Sequence, residues 1–145
     1  MTVRLLADDL TGALDTAAEL TPLAGPMPVF WAGALPEIRP KNCAIDSGTR
    51  EQDRQSAIRM VERLAADLVE AALPYKKVDS LLRGHTMAEL TACWRLGAWD
   101  HCIVAPAFPF QGRITAGWWD ARAFSAEAKI GAIRTSWFIS RSITK

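Results

Sequence analysis

Two adjacent carboxylates near the amino terminus have the type and the position to do chemistry. Asp8 and Asp9 directly follow the apolar run VRLL and alanine, and Thr11 and Gly12 come after them at the start of a helical pattern. A carboxylate held at the end of a rigid strand can orient a hydroxyl group and accept its proton. Asp8 could instead cap the helix that follows, a contact worth about 1 kcal/mol. Both interpretations remain open for this pair.

Further polar segments follow later apolar runs in the same way. They read DSGTR from Asp46 to Arg50, KVDSLLRGH from Lys77 to His85, and PAFPFQGR from Pro106 to Arg113. Any one of these residues could be polar merely because loops contact water. The repeated occurrence of acid–base side chains beside Gly or Ser favours one shared site over that explanation.

The hydrophobic pattern alternates between strands and helices. It predicts strands over Val3–Leu6, Val29–Trp31, Cys43–Ile45, Tyr75–Val78 and His101–Ala105, and helices over Thr11–Leu20, Glu51–Leu73 and Met87–Leu96. Such alternation predicts an α/β fold with a mostly parallel sheet and crossover helices, in a Rossmann-like three-layer arrangement. Right-handed crossovers bring the loops after the first, third, fourth and fifth strands to one edge, where ligands bind. The candidates at this edge are Asp8, Asp9, Asp46, Arg50, Lys77, Asp79, Ser80, Arg83, His85 and Arg113.

Composition excludes several classes of protein. The 145 residues suit one domain, and 17 basic against 16 acidic side chains argue against a nucleic-acid binder. No apolar run approaches the roughly 18 residues of a membrane span, and the amino terminus does not resemble a signal peptide. Cys43, Cys93 and Cys102 indicate reduced, buried thiols of a cytoplasmic protein. Two histidines without matched spacing give no case for a metal site.

Four motifs together resemble a known family. ADDLTGALD, DSGTR, KKVDSLLRG and APAFPFQGR occur here in the order and spacing of the N-terminal, sugar-binding domain of four-carbon acid sugar kinases. The resemblance covers residues 1 to about 117. It implies an enzyme that phosphorylates threonate, erythronate or 3-oxo-tetronate, with one domain for the sugar acid and another for most of the nucleotide site. It also implies ATP and Mg²⁺ as cofactors of the full-length family.

The resemblance and the chemistry of the side chains suggest roles for the candidates. Arg50 and Arg83 suit the acid group, since guanidinium forks bind carboxylates in pairs, although Arg50 could instead pair with a nearby acidic residue in solvent. Hydroxyl groups of the sugar suit Asp9, Asp79 and Ser80, with Asp46 at the same edge. Asp8 or Asp9 would act as the base. Lys77 and Arg113 would offset charge on the transferring phosphate, while His85 is left out of the catalytic set.

This chain departs from the family pattern in two places. DSLLRGH stands where the family usually has DSTLRGN, so Leu81 replaces a hydroxyl and His85 an amide. Residues 118–145 match nothing in the family and indicate a frameshifted or prematurely ended gene, although a divergent ending stays open. Within them the pattern predicts a helix over Phe124–Ile133 and a strand over Ser136–Ile139. We expect an incomplete N-terminal domain and no nucleotide-binding domain. No G-x-x-x-x-G-K-[ST] or G-x-G-x-x-G motif occurs, which predicts no tight nucleotide binding and no ATP-dependent turnover by this chain alone.

Other functions stay open on the sequence alone. A stand-alone sugar-acid binding module, or a subunit that needs a separate nucleotide domain, would use the same residues. A phosphatase or receiver-like protein could use Asp8 and Asp9 for Mg²⁺ and phosphorylation. The expected partner is a small sugar acid, with no nucleic acid and no membrane. Self-association would follow from any apolar surface left exposed around residues such as Trp118.

Overall fold

A four-stranded parallel sheet forms the centre of the fold. The computed structural model describes residues 1–31, 34–97, 99–105 and 136–140. The strands are β1 (Val3–Ala7), β2 (Val29–Trp31), β3 (Cys43–Asp46), β4 (Leu73–Lys76), β5 (His101–Ala105) and β6 (Ser136–Ser140). The helices are α1 (Leu10–Ala24), α2 (Arg54–Leu64), α3 (Ala66–Val69) and α4 (Thr86–Leu96). The sheet has the order β2-β3-β1-β4, with every pair parallel.

Side-chain alternation along the strands divides the core into two layers. On one face, Val3 and Leu5 of β1 pack with Ala44 of β3 and Ala17 of α1. The opposite face carries Leu6 and the residues of α2, α3 and α4 that pack on it. Because successive strand residues point to opposite faces, a strand that is apolar on both faces must be covered on both. The predicted α/β fold with a parallel sheet and crossover helices is therefore confirmed.

The predicted long helix over Glu51–Leu73 is wrong at both ends. Asp53 caps α2 by accepting hydrogen bonds from the backbone N–H groups of Gln55 and Ser56, so the helix begins at Arg54. It ends at Leu64, and a short α3 follows before β4 starts at Leu73. The hydrophobic stripe continues through Leu68, which explains why periodicity alone gave a single helix.

The fifth strand does not extend the parallel sheet as predicted. β5 pairs in antiparallel fashion with β6, and His101 lies opposite Ser140 in a separate two-stranded sheet. The strand predicted at Ser136–Ile139 is thus present and satisfies the backbone groups of β5. The loop Pro106–Arg113 and the helix expected at Phe124–Ile133 lie outside the described residues. Within the described residues, no helix is long and apolar enough to span a bilayer.

Candidate functional site

Acidic residues stand at the carboxyl ends of three neighbouring strands. Asp8 follows β1, Asp46 ends β3, and Asp79 lies three residues beyond the end of β4. Since β1 lies between β3 and β4 in the sheet, the three carboxylates are brought to one edge. All three residues are largely buried there. This is the edge that the strand pattern predicted for the site.

One guanidinium group binds both carboxylates of the adjacent aspartates. Arg50 donates from Nε and Nη2 to the two Asp8 oxygens at 2.9 and 3.0 Å. It donates from Nη1 and Nη2 to the two Asp9 oxygens at 2.6 and 2.8 Å. Each of the four carboxylate oxygens therefore accepts one hydrogen bond from Arg50. Arg50 therefore pairs with these two aspartates. The alternative, in which Arg50 pairs in solvent with an acidic residue nearby in the sequence, is not observed among the described residues.

The residue that caps α1 is Asp9 and not Asp8, which the sequence analysis had named as the possible cap. Oδ1 of Asp9 accepts a hydrogen bond of 3.0 Å from the backbone N–H of Gly12. A Cβ atom added at Gly12 would lie 2.6 Å from that oxygen and 3.5 Å from Cγ of Lys77. Glycine is therefore required at position 12 by close packing. The aliphatic stem of Lys77 borders the same space.

The segment after β3 carries Arg50 to the aspartates. The Ser47 hydroxyl and backbone N–H both donate to the carbonyl oxygen of Ala7, at 2.8 and 2.9 Å. The Arg50 backbone N–H then donates to the carbonyl oxygen of Asp8 at 3.2 Å. Asp46 accepts from the backbone N–H of Gly48 at 2.8 Å, and Gly48 has a positive φ of 62°. These bonds fasten DSGTR to the end of β1.

The loop between β4 and α4 folds around the carboxylate of Asp79. Its Oδ2 accepts from the backbone N–H groups of Leu81 and Arg83 at 3.0 and 3.1 Å. The Arg83 side chain donates to Oδ2 and Oδ1 at 2.9 and 2.8 Å. Leu82 is held at a positive φ of 58°, and Gly84 has a φ of 75°. Asp79 thus organises this loop and orients Arg83.

Gly84 brings this loop against the segment after β3. A Cβ atom at Gly84 would lie 3.3 Å from both the Cα and the carbonyl oxygen of Arg50. Nη2 of Arg50 lies 3.7 Å from Oδ1 of Asp79. The Arg50 cluster and the Asp79–Arg83 pair therefore form one continuous network of charges. Ser80 lies half-buried in the same loop.

Burial and charge set the protonation behaviour of this network. Hydrogen bonds from the Arg83 side chain hold the pKa of Asp79 well below its usual range, and Asp79 raises the pKa of Arg83 in return. Burial raises the pKa of Asp46, an effect that the charges of Asp9 and Asp8 reinforce. Burial lowers the pKa of Lys77, whose Nζ donates to the carbonyl oxygen of Val78 at 2.6 Å.

The most deeply buried charges at this edge were not found from the sequence. Lys76 is 0% exposed, and its Nζ lies 2.8 Å from Oε2 of Glu89, which is 1% exposed. The sequence indicated Lys77 and gave its neighbour no role. The sequence feature that could have indicated a buried charge is Glu89, an acidic residue on the apolar face of the predicted helix.

His85, which the sequence analysis left out of the catalytic set, contacts the carbonyl oxygen of Gln52 through Nε2 at 2.7 Å.

The structure brings most of the predicted site residues together. One group consists of Asp8, Asp9 and Arg50, and the other of Asp79 and Arg83. The two groups approach each other where Arg50 lies near Asp79 and Gly84. Asp46, Lys77 and Ser80 lie at the same edge, and Arg113 lies outside the described residues. Among the described residues, no group of three or more His, Cys, Asp or Glu side chains is arranged to hold a metal ion.

Comparisons with known proteins identify relatives of the whole domain. The family described as "Sugar-binding N-terminal domain" matches residues 3–118. A D-threonate kinase of Cupriavidus necator is 36% identical over 119 residues, which are 78% of this chain and 28% of that protein. D-threonate kinases of Salmonella typhimurium and Bordetella bronchiseptica are 32% and 37% identical, over 79% and 77% of this chain and 28% and 30% of those proteins.

The match covers the strands and loops that build the carboxyl edge. This chain spans less than a third of the length of the curated relatives that it matches. The resemblance drawn from ADDLTGALD, DSGTR, KKVDSLLRG and APAFPFQGR is confirmed. The chain belongs to the family of sugar-binding N-terminal domains that includes this part of the four-carbon acid sugar kinases.

Proposed function

We propose that the carboxyl edge of this sheet binds a four-carbon sugar acid of the D-threonate type, as the sugar-binding part of an ATP-dependent kinase. The observation that carries the proposal is the joined network of two guanidinium groups and three carboxylates, Arg50 with Asp8 and Asp9 and Arg83 with Asp79. A ligand that presents one carboxylate and several hydroxyls needs both kinds of partner. The names of the relatives supply the substrate class.

The two arginines have different parts in this proposal. The Arg50 side chain is 12% exposed and its donors are engaged by both aspartates. Arg83 is 60% exposed, and only its Nε and Nη2 have partners among the described residues. Arg83 is therefore the better candidate to receive the acid group of the ligand. Arg50 holds the two aspartate carboxylates in fixed orientations and balances their mutual repulsion.

The two aspartates differ in their access to a ligand. The Asp9 side chain is 26% exposed, whereas that of Asp8 is 5% exposed. A hydroxyl group of the sugar acid can therefore approach Asp9 more readily. In phosphoryl transfer to an alcohol, a carboxylate orients the hydroxyl and accepts its proton. We assign that role to Asp9, with Asp8 as the residue that anchors Arg50.

The described residues at this edge do not fit ATP and Mg²⁺ by themselves. Arg50 already places a positive charge against both Asp8 and Asp9, so a Mg²⁺ ion beside the same carboxylates would be repelled by the guanidinium group. The sequence also contains neither of the two glycine-rich phosphate-binding motifs. We therefore expect binding without turnover from the purified chain. The same engagement of Asp8 and Asp9 disfavours a phosphorylated-aspartate mechanism.

Calorimetry with matched ligands tests the proposal. D-threonate should bind at least tenfold more tightly than threitol, the four-carbon alcohol without a carboxylate, a difference of about 1.4 kcal/mol. Arg83→Gln should remove this preference, because it removes the proposed partner of the acid group. Arg39→Gln, which alters an arginine paired with Asp67 in α3, is the control and should retain the preference. Equal binding of both ligands to the wild-type chain would refute the proposal.

A further inference from the structure

A buried ion pair lies directly behind the proposed ligand contacts without being one of them. Nζ of Lys76 is 2.8 Å from Oε2 of Glu89, and both side chains are almost completely inaccessible to solvent. Among the described residues, the Glu89 carboxylate accepts no well-aligned hydrogen bond, so the Lys76 ammonium is what balances its charge. Two charges have thus been removed from water with few additional partners.

Stability alone does not explain this pair. Taking two charges out of water carries a large desolvation penalty, and well-packed apolar residues of similar volume often serve the core equally well. Val78, Leu90 and Cys93 belong to the buried apolar cluster on the same face of the sheet. The pair therefore calls for a role in fixing one particular arrangement of the chain.

The pair spans the loop that carries the proposed ligand contacts. Lys76 is the last residue of β4, and Glu89 lies in the first turn of α4. Residues 77–85 between these two elements include Lys77, Asp79 and Arg83. Nζ of Lys76 also donates to the carbonyl oxygen of Lys77 at 3.1 Å, which ties the first peptide of the loop to the same charge.

This loop contains backbone conformations that need support from their surroundings. Leu82 has a φ of 58°, a value that residues with side chains adopt at a cost, and Gly84 has a φ of 75°. Such conformations persist only when neighbouring structure determines them. Inside the loop, Asp79 supplies part of that support by accepting the N–H groups of Leu81 and Arg83.

The surrounding charges favour a cation at position 76. In the parallel register Lys76 lies opposite Leu6, so its side chain is on the sheet face that α2 and α4 cover. The groups that act on its ammonium are the carboxylates of Glu89 and Asp8 and the thiol of Cys93. Burial acts to lower the pKa of Lys76, but these groups outweigh it and the pKa is raised, so Lys76 carries its positive charge at neutral pH.

We propose that Lys76 and Glu89 are positioning residues, which clamp both ends of the 77–85 loop and so hold Asp79 and Arg83 in their ligand-binding geometry. The link to ligand binding rests on the function proposed above, whereas the link to loop geometry does not. Neither residue contacts the ligand in this arrangement. Their effect is transmitted through the first loop peptide and the first turn of α4.

Apolar replacement of the pair separates positioning from a purely structural role. The double variant Lys76→Met/Glu89→Leu should keep an unfolding midpoint within a few degrees of wild type. In the same variant, the amide hydrogens of Leu81 and Arg83 should exchange at least tenfold faster by NMR, because the loop that presents Asp79 to them is released. D-threonate affinity measured by calorimetry should fall at least tenfold.

A partly exposed ion pair on other elements provides the control. Arg39→Met/Asp67→Leu removes an ion pair of 3.3 Å between α3 and the segment before β3, and it should leave both exchange rates unchanged. Unchanged exchange at Leu81 and Arg83 in the folded Lys76→Met/Glu89→Leu variant would overturn the proposal. If that variant does not fold, Glu89→Gln is measured in the same way. Failure of both to fold would assign the pair to the core alone and would also overturn the proposal.

The exchange measurement keeps this inference separate from the proposed function. If the wild-type chain does not bind D-threonate, the proposed function fails, while the exchange rates still decide whether the pair holds the loop. If the wild-type chain binds and the double variant binds equally well with unchanged exchange, the positioning role fails and the proposed function stands.

Discussion

Arg50 connects more parts of this site than any other described residue. Its guanidinium group connects the end of β1 with the segment after β3 and approaches the loop after β4. Asp8 and Asp9 place two negative charges side by side, and a planar fork with several donors can satisfy both at once. A lysine ammonium in the same place is a point charge and cannot reproduce four directed hydrogen bonds.

Replacement of Arg50 by lysine should therefore lower stability while preserving charge. We expect Arg50→Lys to reduce the free energy of unfolding by about 1–3 kcal/mol, because buried charge-assisted hydrogen bonds are lost. Arg39→Lys changes an arginine whose contact with Asp67 is 3.3 Å, and it should alter the same quantity by less than about 0.5 kcal/mol. Urea denaturation measures both. Equal effects would show that the Asp8–Asp9 contacts add no stability.

Only part of this residue-level arrangement could be predicted from the sequence. Strand direction was enough to bring Asp8, Arg50 and Asp79 to one edge, because it depends only on the order of strands and helices. The pairing of Arg50 with both aspartates depends on side-chain torsions and on the turn through Gly48, which no residue pattern specifies. For the same reason the partner of Lys76 was not found, since Glu89 is thirteen residues away on another element.

At the scale of the element, the start of α1 depends on close packing between Gly12 and Asp9, the residue that caps this helix. Alanine at an interior helical position normally stabilises a helix by up to about 1 kcal/mol relative to glycine. At Gly12 the added Cβ would lie 2.6 Å from Oδ1 of Asp9 and would disturb the N-cap. The close approach of Asp9 thus reverses the usual effect of the substitution.

A double-mutant cycle tests this reversal of sign. Gly12→Ala should lower the free energy of unfolding by about 1–2 kcal/mol, because the loss of an N-cap costs that much. In an Asp9→Ala background the clash is absent, and the same substitution should become neutral or stabilising. Thermal unfolding of the four proteins gives the coupling between the two positions. A stabilising Gly12→Ala in the wild-type background would contradict the prediction.

The loop after β4 should respond to acid through Asp79. Its pKa lies below the usual value of about 3.9 because Arg83 donates to it, so the folded protein binds this proton less readily than the unfolded chain. The stabilising contribution of Asp79 is therefore fully present above about pH 5 and is lost as the pH falls through and below 4. At pH 7, Asp79→Asn should lower the free energy of unfolding by about 1–3 kcal/mol.

Denaturation at a series of pH values checks this contribution. The difference between wild type and Asp79→Asn should shrink steadily below about pH 4, because the unfolded wild-type chain takes up a proton at Asp79 more readily than the folded protein does. A difference that stays constant from pH 7 to pH 2 would show that the carboxylate charge does not contribute, and that only the hydrogen bonds from Leu81 and Arg83 do.

Sequence patterns predicted the presence of helices and strands better than they predicted where these elements end and which strands pair. β2 and β5 have the predicted bounds, and α4 differs by one residue. The helix predicted from Glu51 begins later because the Asp53 cap is a local side-chain contact. β4 begins earlier than predicted, with Pro74 inside it opposite Arg4, since pairing with β1 determines its extent. Antiparallel pairing of β5 with β6 joins segments far apart in sequence, which periodicity does not report.

At the scale of the whole molecule, the site is built on a sheet with packed layers on both faces. α1 covers one face, while α2, α3 and α4 cover the other, and the acidic strand ends emerge between these layers. The cysteines report on this packing, because Cys43 and Cys93 are 0% exposed and Cys102 is partly buried. The predicted burial of the thiols is thus confirmed for Cys43 and Cys93.

The reactivity of these thiols should measure global unfolding. Burial raises the pKa of Cys93 to about 12 and that of Cys102 to about 11, so little thiolate is present near pH 8 in the folded protein. We expect a disulfide reagent to label Cys43 and Cys93 only through molecules that have unfolded. The labelling rate of these two residues should then rise with urea along the slope of equilibrium unfolding. Cys102→Ser should remove a separate, faster phase. Rapid labelling of Cys93 without urea would mean that α4 opens locally, and would place the weakest part of the molecule next to the 77–85 loop.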